Sequence, residues 1–247
     1  MQADPRTQLR LLDLQTIDTD IARLRHRRAS LPELAGIAEG QKRRSRILEA
    51  QVAAKTRVSD LAIDMRKAEG DLDPVRARLE RDKVKTSDGS VTDPKQLRAL
   101  LAEIDHLTTR ITDLEDVELA VMEELETAQA ELDRVTAERA ECETGLRALI
   151  VERDAKLALL DADLRERQGE RDATASDLPA DLLALYDRIA AKSGGVGAAL
   201  LRGGRCGGCQ LEATQADLLR YRQAGPDAVL RCEECQRILV RSAESGL

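Results

Sequence analysis

Phenylalanine and tryptophan are absent from the 247 residues, and tyrosine occurs only at positions 186 and 221. Aromatic side chains bury roughly 150–250 Å² each and fill most thick cores. Without them a sandwich, a barrel or a doubly wound sheet has little to pack around, and base-stacking readers of single strands have no platform. Histidine is nearly missing too: His26 and His106 leave little for imidazole catalysis, and neither lies near a cysteine or carboxylate constellation. No stretch approaches the ~18 consecutive apolar residues of a membrane span. The opening MQADPRTQLR lacks the charged-then-apolar layout of a secretory signal, which places the expected location in the cytoplasm.

What is present is charge and aliphatic bulk. Charged residues make up 34% of the chain, with 39 basic against 46 acidic side chains and a net charge of −7. That bias matches long helices. Apolar residues recur at alternating steps of three and four along Ala54, Val58, Leu61, Met65, Ala68, Leu72, Val75 and Leu79. A longer seam begins at Leu97 and runs through Leu100, Ile104, Leu107, Ile111 and Leu114 to Val135, Cys142, Leu146 and Leu149, with Glu118 and Arg139 as its charged members. A seven-residue repeat held this long predicts a left-handed coiled coil. Beyond Leu149 the stripe continues one position out of phase through Ile150, Leu157, Leu160 and Leu164, a stutter that predicts a bend or straightening near residues 146–153.

Asp88-Gly89 is a turn signal, and Asp93-Pro94 with Gln96 supplies an N-cap, a first-turn proline and a capping-box partner. One helix therefore ends near residue 82 and its antiparallel partner begins at 94. A preceding helix, marked by Leu14, Ile17, Ile21, Leu24 and Leu31, is broken at Ser30-Leu31-Pro32-Glu33, where Ser30 and Glu33 have capping-box spacing. Arms of equal length on either side of the tip argue for one hairpin whose outgoing arm is interrupted near Pro32. The alternative folds the first helix back.

Composition shifts after Ala173. A short helix from Leu178 is followed by Cys206-Gly207-Gly208-Cys209, 22 intervening residues, and Cys232-Glu233-Glu234-Cys235. Two CxxC pairs so spaced predict one zinc ion held by Cys206, Cys209, Cys232 and Cys235. Two residues between thiolates let one knuckle present both sulfurs to one face of a tetrahedron, and a second knuckle completes it. Gly207 and Gly208 allow positive φ, so that backbone N–H groups can turn toward the sulfurs; Gln210–Ala213 is expected as a strand, and Thr214 as the cap of a helix through Ala224. Four cysteine ligands leave no open position, so the expected site is structural. A dithiol switch is the competing reading of the same cysteines. Cys142, on the seam, reads as a small core residue.

The expected architecture is mainly α: a long antiparallel coiled-coil hairpin over residues 1–175 with its tip at about 83–93, then a short helix and a small β-rich zinc ribbon over 176–247. Three segments carry a family resemblance: DPKQLRALLAEI after the tip, LPADLLALYDRI before the ribbon, and CGGCQLEATQADLLRYRQ with LRCEECQRIL within it. The chain resembles the bacterial coiled-coil hairpin proteins that end in a four-cysteine zinc ribbon. That resemblance implies zinc binding and carries the family's description as nucleic-acid-binding, with some members contacting RNA or transcription partners. One departure is in the second knuckle, commonly Cys-Pro-x-Cys-Gly-Arg in the family, where this chain has Glu233 and Gln236.

For function, the expectation is a non-enzymatic zinc-binding adaptor, monomer or homodimer through the coiled coil, whose rod and ribbon bind a partner protein, a nucleic acid or both. No nucleophile–base pair, phosphate loop or open metal site is visible. Direct RNA or DNA binding with a regulatory role in gene expression is the alternative, and a thiol redox sensor ranks third. Candidate contacts are Arg202, Arg205, Arg237 and Arg241 on the ribbon and Lys83, Lys85 and Lys95 at the tip. The ribbon's seven arginines against six acids, with four thiolates on Zn²⁺, leave it close to neutral, which disfavours a general phosphate binder.

Overall fold

The computed structural model describes residues 1–247. Three long helices come first: α1 (Pro5–Ala29), α2 (Pro32–Ser87) and α3 (Pro94–Ser176). They are followed by α4 (Ala180–Lys192), β1 (Ala198–Arg202), β2 (Arg205–Cys206), α5 (Gln215–Gln223), β3 (Leu230–Arg231) and β4 (Ile238–Val240). The chain divides into two compact units, Ala35–Ile150 and a second made of Met1–Leu34 with Val151–Leu247. Residues 1–34 belong with the ribbon because their apolar side chains complete its core, a long-range packing that no local pattern encodes.

In the unit 35–150, α2 and α3 run antiparallel. Cross-helix ion pairs join Arg43 to Glu138 at 3.0 Å, Arg76 to Glu115 at 2.6 Å and Arg78 to Glu103 at 2.7 Å, so partner numbers fall as residue numbers rise. Every position of the long seam from Leu97 to Leu149 is buried or half-buried, charged members included. Arg139 is accommodated by a polar layer: it donates to Gln51 Oε1 at 3.0 Å and to Glu143 at 2.8 Å, while Gln51 donates to Thr136 at 2.9 Å. Gly36 and Gly40 let the arms approach closely, since a Cβ on Gly40 would lie 2.5 Å from Leu146 Cδ2. Cys142 is buried in the seam, its sulfur 3.7 Å from the Gly40 carbonyl. The tip loop is shorter than expected, residues 88–93, because α2 continues to Ser87. Asp93 caps α3 by accepting the Lys95 N–H at 3.0 Å.

In the other unit, α1 lies antiparallel to the end of α3, with Asp18 bound to Arg171 at 2.7 Å and Arg28 to Asp161 at 2.9 Å. The first helix thus packs along the end of α3. The chain is interrupted at residues 30–31, but the expected capping box is not formed. Ser30 Oγ donates to the His26 carbonyl, and Glu33 is drawn to Lys156, a stronger charge-assisted partner. Helix α3 stays α-helical through 146–153.

The four strands form one sheet in the order β2-β1-β4-β3, with β1 and β4 parallel and the other neighbours antiparallel. Alternate residues face opposite sides. Ala198, Ile238 and Val240 pack with Leu11, Leu14, Leu182 and Tyr186, while Ala199, Leu201 and Leu239 pack with Tyr221, Cys206 and Cys232. The sheet is therefore covered on one face by α1 and α4 and on the other by the cysteine knuckles and α5. The expected strand at Gln210–Ala213 is absent. Gln210 takes a left-handed conformation, and only Glu212 makes an isolated bridge, to Arg205.

Candidate metal centre

Both knuckles hang from sheet strands. β2 delivers Cys206, the turn carries Cys209, and the chain after β3 brings Cys232 and Cys235. A Gly203-Gly204 turn, with φ of 53° and 78°, reverses the chain between β1 and β2. The four sulfurs lie within 4.8 Å of one another. Cys206 and Cys235 are 3.8 Å apart, as are Cys209 and Cys232. A tetrahedral zinc thiolate with Zn–S near ~2.3 Å has sulfur–sulfur edges of about 3.8 Å. Disulfides need sulfurs at about 2.05 Å, so the spacing is that of metal ligands. The Gly208 N–H points at Cys206 Sγ at 3.4 Å.

Burial pushes the thiols of Cys206 and Cys232 up, the latter to about 12. At Cys235 burial acts the same way, but the Arg237 backbone N–H and neighbouring thiols outweigh it and lower the group to about 7. A bound Zn²⁺ supplies the positive charge that keeps all four as thiolates, and with four protein ligands it has no position left for water or substrate. The donor set, spacing and burial fit one structural zinc ion.

Glycine serves the first knuckle differently from the expectation. Neither Gly207 nor Gly208 has a positive φ. Their missing side chains are needed for space: a Cβ on Gly207 would lie 3.0 Å from the Leu200 carbonyl, and one on Gly208 would lie 2.6 Å from Arg237 Cδ and 3.2 Å from Ala199 Cβ. The left-handed positions fall on Gln210 and Gln236, with φ of 64° and 61°. The sequence signal for their importance is a repeat, Arg-Cys-x-x-Cys-Gln, present at 205–210 and 231–236. Tyr221 adds a brace, its hydroxyl donating to the Arg231 carbonyl at 3.0 Å.

The ribbon arginines are engaged within the molecule. Arg202 pairs with Glu244 at 2.8 Å, and Arg205 with Glu212 at 2.6 Å. Arg237 donates to the carbonyls of Val196 and Ser193, and Arg241 to those of Ala224, Gly225, Pro226 and Ala228. At the tip, Lys85 pairs with Asp82 at 2.8 Å and Lys83 approaches Glu80 at 3.9 Å. Lys95 is exposed. No helix is long and apolar enough to cross a membrane.

Fold and site together define a class, a helical hairpin carrying a four-cysteine zinc ribbon. The chain belongs to the family described as the CT398-like coiled coil hairpin domain, whose model matches residues 14–194; a C4-type zinc ribbon domain matches 205–239. An uncharacterized protein of Mycobacterium tuberculosis is 34% identical over 245 residues, 98% of each chain. A solved structure from Mycobacterium smegmatis is 32% identical with a TM-score of 0.83, covering 98% of this chain and 100% of that one. CT398 from Chlamydia trachomatis shares the fold at 16% identity, with a TM-score of 0.69 over 96% and 98% of the two chains.

Proposed function

We propose that the protein is a non-enzymatic adaptor of the cytoplasm in which zinc holds the ribbon together and the hairpin tip receives an acidic protein partner. The observation that carries this reading is that exposed cations and exposed apolar side chains stand together at the tip. The ribbon arginines expected to contact a partner are spent on internal carbonyls and carboxylates. At the tip, Arg81 and Lys95 are exposed and unpaired with carboxylates, and Arg98, also exposed, donates only to the Pro94 carbonyl in its own first turn at 3.2 Å. Beside them Val84 and Leu101 are 55% and 47% exposed, apolar surface of the kind partner helices cover. A closed four-thiolate site performs no hydrolysis, which supports the non-enzymatic reading.

The same cations favour a second reading, contact with RNA or DNA phosphates. Crosslinking in cells, followed by separate identification of protein and RNA, tests both. The adaptor reading expects a protein adduct that disappears when Arg81, Lys95 and Arg98 are all changed to Glu. Recovery of nucleic acid instead, with binding in vitro that weakens steeply between ~50 and ~200 mM salt, would establish the second reading.

A further inference from the structure

The two knuckles share more than their cysteines. In the first, Arg205 Nη1 donates to the Gln210 carbonyl at 3.2 Å, and Gln210 Nε2 donates to the Gly207 carbonyl at 2.8 Å. In the second, Arg231 Nε donates to the Gln236 carbonyl at 3.1 Å, and Gln236 Nε2 to the Glu233 carbonyl at 3.0 Å. The backbone repeats as well. The N–H of Gln210 reaches the Cys206 carbonyl at 2.8 Å and that of Gln236 the Cys232 carbonyl at 2.9 Å; the N–H of Cys206 reaches Leu211 and that of Cys232 reaches Arg237, each at 3.0 Å. Two loops with different central residues, Gly-Gly and Glu-Glu, thus carry the same hydrogen-bond pattern about the same Arg and Gln.

A left-handed residue after the second cysteine turns the chain so that both thiolates face one way. Glycine adopts that conformation freely; an L side chain does so only when something holds it. We infer that Arg205 with Gln210, and Arg231 with Gln236, are positioning residues of the zinc site: each pair clasps its knuckle in the ligating shape and slows the metal's departure. The glutamine ties its own turn from inside, across the loop it closes. The arginine, one residue before the first cysteine, pins the glutamine's carbonyl from outside. Groups that orient first ligands in this way commonly change metal affinity 10–100-fold when lost. Arg205 is thereby spent within its own knuckle, and Arg231, which was not among the candidate contacts, gains a defined role.

The test uses the full chain loaded with one zinc and measures zinc transfer to a chromophoric chelator. Gln210→Gly with Gln236→Gly keeps the left-handed backbone unstrained and deletes only the clasp, and is expected to accelerate release about tenfold. Arg205→Met with Arg231→Met keeps the aliphatic stem and is expected to act in the same direction, with Arg→Lys intermediate. Arg202→Met, whose partner Glu244 lies outside both knuckles, is the control and should release zinc at the parental rate. Far-UV dichroism and the cobalt(II)–thiolate spectrum report whether each variant still folds and still binds in a tetrahedron. Should the double variants fail to fold, Gln236→Gly alone carries the test. Release within twofold of the parent in folded Gln→Gly and Arg→Met variants would overturn the assignment, as would equal acceleration by Arg202→Met.

Discussion

Gln15 shows how much a single polar residue decides in this molecule. It sits on α1, buried, and its Oε1 accepts from the Gly197 N–H at 2.7 Å, the Ala198 N–H at 3.3 Å and the Tyr186 hydroxyl at 3.2 Å, while its Nε2 donates to the Gly195 carbonyl at 3.0 Å. One side chain therefore satisfies the N–H groups of Gly197 and Ala198 at the entry to β1, where the Gly197 carbonyl is already paired with the Ile238 N–H. Gln15→Leu matches its volume but orphans the Gly197 N–H and the Gly195 carbonyl, at about 1–3 kcal/mol for each one left dry, while the Tyr186 hydroxyl keeps Asp18. Urea unfolding followed by tyrosine fluorescence should show that loss, and an unchanged midpoint would refute the role. The neighbouring Gly197 makes an independent test, because a Cβ there would lie 2.7 Å from the Tyr186 carbonyl and 2.7 Å from its ring. Gly197→Ala should cost about 1–3 kcal/mol in the same measurement, since backbone cannot move aside as a side-chain tip can. Neither residue was legible beforehand. The four cysteines were, because their spacing is itself the geometry of the site, whereas a glutamine on a helix acquires meaning only from partners some 180 positions away. The arginines Arg237 and Arg241 were misleading for a related reason: a sequence records a charge but not the carbonyls waiting for it.

At the scale of elements, the heptad seams were read correctly because a coiled coil buries what its local period dictates. The same logic fails where an element's environment is set by distant chain, as at Ser30-Glu33, where Lys156 captured the carboxylate that would have capped α2. Helical glycines separate the two situations cleanly. Gly70, Gly145 and Gly169 are exposed, and an added Cβ at any of them meets nothing within 4 Å. Each is a helix interior carrying needless backbone entropy, so Gly→Ala should raise stability by about 0.5–1 kcal/mol per site. Gly40 is the opposite case, with Leu146 Cδ2 at 2.5 Å from the added carbon. Leu146 is itself buried in the seam against Ile37, Ile47 and Cys142, with little room to yield. Gly40→Ala should therefore lose more to overpacking, about 1–3 kcal/mol, than it gains in helix propensity. Thermal melts at 222 nm of Gly145→Ala and Gly40→Ala should move in opposite directions. Movement in the same direction would show that the arms do not meet closely at Gly40.

For the whole chain, the scarcity of aromatics provides its own assay. Both tyrosines lie in the unit that contains the ribbon, and none lies between residues 35 and 150. Tyr221 packs with Cys206 and Cys232 and braces the second knuckle through the Arg231 carbonyl. Tyr186 is fully buried on the other face of the sheet, bonded to Asp18 at 2.8 Å, and both burial and that carboxylate push its hydroxyl up beyond the ordinary tyrosine range. Near-ultraviolet dichroism and tyrosine emission consequently report on the ribbon and its base, whereas far-ultraviolet dichroism is dominated by α2 and α3. Ribbons too small for a large apolar core draw their folding free energy from the metal. The core of the unit 35–150 consists of its own aliphatic clusters, around Ile37–Val135–Leu146 and around Leu72–Leu107–Leu114, with no cysteine ligand among them. Stripping zinc with a strong chelator under reducing conditions should abolish most of the near-ultraviolet signal while the 222 nm signal falls only slightly, and readdition of one equivalent of zinc should restore it. Parallel loss of both signals would mean that the hairpin's stability depends on the metal. Retention of both would mean that the apolar packing around Tyr221 holds the ribbon without it.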